Sequence, residues 1–388
     1  MAPLFLTVFV DLVGFGIIIP FLPFFAESLH AVPDEVTLLM TAFSLAQFVA
    51  APLWGRLSDR VGRKPVLIAT LFGLASAYVW LAFAHSLFEL FAARIFAGAM
   101  AGNIAVAQAA AADLSTPEER PKAMGMIGAA FGLGFLVGPA IGGVLAGLSG
   151  GVSAIAAPAF TAAGLSTLAL LLALALLRES NPAHAADDHR KGRIASLRET
   201  FSDPGLRVFI VMAFLVPLAF AGVESTMALW TERAFGWGAR NNGYLFSFLG
   251  LIAVLTQGLL VGRLSRVATE QTLVAIGGGA AAVGLLLVAV APLFWPAVIG
   301  FALVVFGVSL ATPAIASLVS RAAGTSVQGT VMGASHAAQA LARIAGPAAA
   351  GTLFVTIGPS GPYLFGAVLM VALAAIAVGR VRTAKSAP

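Results

Sequence analysis

Charged side chains stand inside long apolar stretches of this 388-residue chain, among them Asp11, Arg94, Glu224 and Arg343. On the insertion scale, a charge at the centre of a membrane helix costs about 2.5–3.5 kcal/mol, so each of these needs a partner or a water-filled cavity. Glu224 lies in Phe-Ala-Gly-Val-Glu-Ser-Thr-Met-Ala-Leu-Trp. A carboxyl in such an apolar cavity can exchange protons near neutral pH and attract a cation; the same position also suits a hydrated structural carboxylate. Asp11 is the second acid able to do either, with a helix-packing or gating bond as its other reading. His336 is two turns from Arg343 on one stretch and can titrate near neutrality or serve as a packing residue. Gln47, Asn103, Gln108, Gln257 and Gln339 add donors and acceptors that can line a cavity or bond between helices. Among the aromatic residues, Phe21, Phe24, Phe43, Trp230 and Phe246 can line an apolar pocket.

The elements that must carry these groups are membrane helices. With 60% hydrophobic residues, 10% charged residues and a mean hydropathy of +0.97, the chain is too apolar for a water-soluble globule. About 20 apolar residues span a bilayer core, and polar interruptions give twelve such stretches. They fall near 4–27, 36–54, 66–84, 88–112, 122–147 and 153–177, then 207–231, 242–262, 272–291, 293–318, 328–356 and 360–380. Runs of this length exclude barrel strands and predict an all-α membrane protein. The first stretch, with Asp11, Pro20 and Pro23 and no basic leader, reads as a retained helix.

The organisation is two six-helix bundles, 1–177 and 207–388, joined by a polar linker at 178–206. The linker holds Asp187-Asp188-His189-Arg190-Lys191 and a Ser-Leu-Arg-Glu-Thr-Phe stretch that suits a tether or a surface helix. A repeat supports the division. Gly55-Arg56-Leu57-Ser58 recurs as Gly262-Arg263-Leu264-Ser265, and Gly125, Gly138, Pro139 and Gly143 recur as Gly333, Gly346, Pro347 and Gly351. Arg266 stands where Asp59 stood, which predicts an asymmetric gate.

The net charge of +5 would suggest nucleic acid for a soluble protein, but here the cations cluster in short loops. Arg56, Arg60, Arg63, Lys64, Arg263, Arg266, Arg321 and Arg380 fall on one face, and Arg233 and Arg240 on the other. The asymmetry predicts cytoplasmic termini and no nucleic-acid partner. There is no cysteine, so neither a disulfide framework nor a thiolate site is available. No phosphate-binding loop, His-Glu-x-x-His motif or nucleophile, base and orienting-acid set occurs, which points away from an enzyme and from nucleotide-driven work.

Between the second and third stretches, Gly55, Asp59, Arg60, Gly62 and Arg63 sit in a tight turn, Gly-Arg-Leu-Ser-Asp-Arg-Val-Gly-Arg-Lys-Pro. Asp59, Arg63 and Asp113 can form a carboxylate, guanidinium and carboxylate cluster; the alternative is a topology signal with ordinary surface pairs. Further on, Gly134, Gly138 and Gly142 recur every fourth residue beside Pro139 and Gly143, a flat stripe for close helix approach or a hinge.

These motifs resemble those of major facilitator superfamily transporters. The turn is similar to the signature after the second helix, and Asp11-Leu-Val-Gly-Phe-Gly-Ile-Ile-Ile-Pro-Phe-Leu-Pro to the first-helix motif of drug-efflux members. Leu90-x-x-x-Arg94-x-x-x-Gly98-x-x-x-Gly102 resembles the arginine motif, with Ala97 in place of the customary Gln. Gly134-x-x-x-Gly138-Pro139-x-x-Gly142-Gly143 resembles the antiporter motif. The resemblance implies a twelve-helix secondary transporter, monomeric, in a bacterial inner membrane, with protons as coupling ion and no cofactor or metal. It implies a small amphipathic or cationic substrate exported by alternating access, with a sugar, metabolite or lipid-like solute, carried by facilitation or symport, as the alternative. A non-transporting sensor or scaffold is a third class. The resemblance implies a cytoplasmic gate at the turn and Asp113, and a proton-coupling role for Arg94. Phe131-Gly-Leu-Gly and Thr231-Glu-Arg-Ala-Phe-Gly-Trp extend it to tetracycline/proton antiporters. Those proteins carry membrane acids in the third and ninth helices and a histidine in the eighth, where this chain has Ala77, Ala281 and Ala253. That departure argues against metal-tetracycline export by their mechanism.

Overall fold

The computed structural model describes residues 1–116, 119–148, 153–180, 204–291, 293–322 and 328–385, and among these it is built of helices alone. Backbone polar groups in a bilayer have no water to bond, so helices that satisfy themselves are the expected solution. Most of the linker, 181–203, lies outside the described residues.

The first stretch is not one helix. It breaks into α1 (Ala2–Ile18) and α2 (Leu22–Ser28), bent by 41°, because Pro20 and Pro23 fall at the junction. Next come α3 (Pro33–Val61) and α4 (Arg63–Ala82). The fourth stretch also breaks, at Ala101 and Gly102, into α5 (Leu87–Met100) and α6 (Asn103–Asp113). The carbonyls freed there are met from α3: Gln47 Nε2 donates to the Ala101 oxygen at 3.0 Å and Trp54 Nε1 to the Ala99 oxygen at 2.7 Å. The first half ends with α7 (Arg120–Leu148) and α8 (Ser153–Leu176).

The second half runs α9 (Pro204–Phe235), α10 (Ala239–Leu255), a π-helical turn at Thr256–Leu260, α11 (Val261–Leu264), α12 (Glu270–Val290), α13 (Phe294–Ala322), α14 (Gln328–Thr356) and α15 (Gly361–Lys385). Among the described residues, ten spans are long and apolar enough to cross a membrane, and the bent α1–α2 pair makes an eleventh. The expected span at 328–356 is present as the 29-residue α14, which carries His336, Gln339 and Arg343 and so falls short on apolarity rather than length.

Two compact units emerge. One comprises Met1–Ala186 with Thr231–Leu251; the other comprises Asp187–Trp230 with Ile252–Pro388. The C-terminal end of α9 and most of α10 therefore pack with the first half. In the first unit α1 lies against α6, α7 and α8, and its core gathers Leu4, Val8, Leu12, Leu67, Leu71 and Val106. In the second, α12 packs on α13 and α15. Glycines set the approach in both units. A Cβ on Gly138 would lie 2.6 Å from the Val13 oxygen, and one on Gly346 would lie 2.7 Å from the Leu218 oxygen. The α1–α7 contact thus has a counterpart in α9–α14. Phe72, Phe88, Leu171, Val283 and Val368 are exposed, an apolar exterior suited to lipid.

Candidate functional site

Asp11 is buried on α1, and its carboxylate is held by two donors from other helices. Asn103 Nδ2 donates to Oδ2 at 3.0 Å and Ser166 Oγ to Oδ1 at 3.0 Å. Asn103 can do this because the break at Gly102 makes it the first residue of α6. Tyr78, buried on α4, lies within electrostatic reach of both Asp11 and Arg94. Sequence reading had no way to single out Ser166, since a serine in a spanning helix ordinarily bonds its own backbone.

Arg94 is 4% exposed. The expectation of a polar partner is not met in the usual way: among the described residues its Nε and Nη1 have no hydrogen-bond partner, and the guanidinium instead lies over the Phe43 ring, 4.4 Å from the centroid. Cation–π attraction compensates part of the cost, because the ring face carries negative potential. Phe43 is thus a platform for Arg94. Trp230, another candidate pocket residue, packs edge-on against Phe301 and Tyr363 within the second unit's core.

In the second unit, Glu224 on α9 is partly buried and within electrostatic reach of Arg343 on α14. His336 and Arg343 occupy exposed positions on α14, and Arg343 is also within reach of His336. Gln339 bonds locally, its Nε2 donating to the Ser335 oxygen at 3.3 Å. Gln257 lies exposed in the π-helical turn. Gln47 is committed to the Ala101 carbonyl, the interhelical alternative to cavity lining.

The turn after α3 brings its charged residues together. Arg63 Nη1 meets Asp59 Oδ1 at 2.6 Å, and its Nε meets Asp113 Oδ2 at 2.9 Å. Nη1 also donates to Ser58 Oγ at 2.6 Å. Arg60 stands exposed beside them. Glu179, which sequence reading passed over as part of the linker, accepts from the backbone nitrogens of Arg63 at 2.7 Å and Lys64 at 3.1 Å. It caps the first turn of α4, where helix N–H groups lack internal partners. Gly62 is required beneath it: φ is +102°, and a Cβ there would collide with the Glu179 carboxylate. Gly55 has open space around its Cα.

The glycine motif on α7 serves two neighbours within the first unit. Gly134, Gly138 and Gly142 meet Leu12, Val13 and Ile17 of α1, while Gly143 meets Gly243 of α10. With Pro139 between them, α7 can lie backbone to backbone against both helices.

The chain matches the sequence model of the Major Facilitator Superfamily over residues 4–347. It is 32% identical over 351 residues to the class E tetracycline resistance protein of Escherichia coli, covering 88% of this chain and 84% of that protein. The crystal structure of the human organic anion transporter MFSD10 superposes with a TM-score of 0.72 at 27% identity, covering 97% of this chain and 98% of that one. The nucleoside transporter NupG, at 14% identity, shares the fold with a TM-score of 0.79. The two solved structures are those of transporters of small molecules. A multi-pass helical membrane protein with this match over nearly its whole length belongs to the Major Facilitator Superfamily of transporters.

Proposed function

We propose that the protein is a proton-coupled exporter of a small amphipathic or cationic compound, working by alternating access with both termini in the cytoplasm. The observation that carries this reading is Glu224, an acid within a spanning helix and within electrostatic reach of Arg343. Such a pair can exchange partners: a proton or a cationic substrate competes with Arg343 for the carboxylate, so binding of one releases the other. Asp11 is the second proton carrier. The turn around Arg63 acts as the inner gate. Similarity to a tetracycline resistance protein supports export, while Ala77, Ala281 and Ala253 argue against the same substrate.

A second reading, an organic anion as cargo, is favoured by Arg94. Its Nε and Nη1 are buried donors without acceptors among the described residues, which a carboxylate or sulfonate would satisfy with charge-assisted bonds, and a structural relative is an organic anion transporter.

Proton movement in liposomes containing the purified protein tests both. A pH gradient is imposed, and hydrophobic cations, organic anions, neutral drugs and sugars are added in turn. Proton release driven by cations and lost in Glu224→Gln is the result expected. Release driven only by organic anions and lost in Arg94→Gln selects the second reading. Flux of any solute without proton movement overturns antiport.

A further inference from the structure

Beside Asp11 lies a small cavity, with about 10 Å³ of room for the centre of a water molecule, lined by Leu4, Thr7, Asp11, Leu71, Asn103 and Ala107 among others. Two atoms of its lining residues, Thr7 Oγ1 and Asn103 Oδ1, are buried and have no hydrogen-bond partner among the described residues. Thr7 is 2% exposed and Asn103 is 5% exposed. Thr7 is unusual among its own kind. Thr70, Thr161, Thr167 and Thr312 each donate their hydroxyl to the carbonyl four residues earlier, whereas Thr7, also mid-helix, does not. An unmade hydrogen bond at a buried polar group is costly, and two around one cavity beside a carboxylate define a site for a polar guest of the cavity's size.

We propose that this cavity binds one ordered water, which relays protons to and from Asp11. The water accepts from the Thr7 hydroxyl and donates to Asn103 Oδ1 and to a carboxylate oxygen of Asp11. Three bonds are what buried waters ordinarily make, and the volume admits one molecule. The Asn103 amide then has both ends engaged, since its Nδ2 already donates to Asp11. In the protonation step, a solvent proton arriving at this water forms hydronium, which passes one proton to Asp11 and leaves water and a neutral carboxyl. The reverse step returns the proton to the water and restores the carboxylate. The groups that bear on Asp11 from the packed helices are Tyr78 of α4, Arg94 of α5 through Tyr78, Asn103 of α6 and Ser166 of α8; α7 presents glycines there.

The relay rests on the proposed function only in taking Asp11 as a proton carrier, and the test separates the two. In pH-jump infrared spectroscopy of the full-length protein in liposomes, the Asp11 carboxyl band is identified by its loss in Asp11→Asn. Thr7→Val is expected to slow the appearance of that band by about tenfold, the rate equivalent of one lost hydrogen bond, while Thr7→Ser keeps the original rate. Thr7→Val replaces an unpaired buried hydroxyl with a methyl, so a folding defect is not expected; a high-resolution structure should show density bridging Thr7, Asn103 and Asp11. Unchanged kinetics in Thr7→Val, no Asp11 band at any pH, or no bridging density overturns the relay. A band that shifts when Na⁺ replaces K⁺ assigns the cavity to a cation and also overturns it. Should Asp11→Asn leave substrate-driven proton release intact while Thr7→Val still slows the band, the water stands and coupling through Asp11 falls.

Discussion

The two copies of the repeated turn differ in how they begin the next helix. In the first, Gly55-Arg56-Leu57-Ser58 leads to α4, whose opening turn has no cap of its own and borrows Glu179 from beyond α8. In the second, Gly262-Arg263-Leu264-Ser265 leads to α12, capped locally by Thr269, whose side chain accepts from the Thr272 nitrogen. The ion pairs are inverted as well. Arg63 binds Asp113 at 2.9 Å, while Glu270, seven residues after Arg263 as Arg63 is after Arg56, binds Arg321 at 2.9 Å. Duplication preserved the geometry of a helix start tied to a later helix, and the sign of each partner was exchanged. Burial was preserved only at the helix starts: the Arg63 and Glu270 side chains are 10% and 22% exposed, whereas their partners Asp113 and Arg321 are 30% and 73% exposed. The first turn is a junction of several segments, and the second is a self-contained helix start with a surface pair.

Four substitutions test that contrast, each read by thermal unfolding of the purified protein in detergent. Arg63→Ala should cost the most, about 2–3 kcal/mol, because it removes charge-assisted bonds to Asp59, Asp113 and Ser58 at once. Gly62→Ala comes next, at about 1–3 kcal/mol, since φ of +102° strains any side chain and the Cβ displaces Glu179; Glu179→Ala in the same background should make it less damaging than additivity predicts. Glu179→Ala alone should cost about 1 kcal/mol, the value of a lost helix cap. Arg321→Ala should fall below about 1 kcal/mol, as exposed pairs do. Equal losses for Arg321→Ala and Arg63→Ala would erase the distinction between junction and surface pair.

The sequence made the helical class, the duplication and the meeting of Asp59, Arg63 and Asp113 legible, because span length, a recurring tetrapeptide and opposite charges are all local signals. The breaks at Ile19–Phe21 and Ala101–Gly102 were not. Hydropathy runs through both, and only tertiary donors such as Gln47 and Trp54 make the second one tolerable. The surroundings of Asp11 were equally hidden, since Ser166 and Thr7 look like any small polar residue in a membrane helix until packing aims them. Arg94 announced itself by charge, but its seat on Phe43 depends on how α3 meets α5. Glu179 was obscured because it sits at the edge of a polar linker, where an acidic residue carries no distinguishing pattern.

The hydrogen bonds to Asp11 also bear on how the chain is made. Asn103 lies 92 residues downstream of Asp11 and Ser166 lies 155 residues downstream. Chains emerge from the ribosome N-terminus first, at about 5–20 residues per second. The first helix therefore reaches the membrane carrying an acid whose protein partners do not yet exist, and it waits for seconds before α6 and then α8 arrive. During that interval the carboxyl must remain neutral or hydrated at the insertion site. Translation speed between the Asp11 and Ser166 codons thus becomes a variable of assembly, and a pause there prolongs the stage at which α1 is least secured.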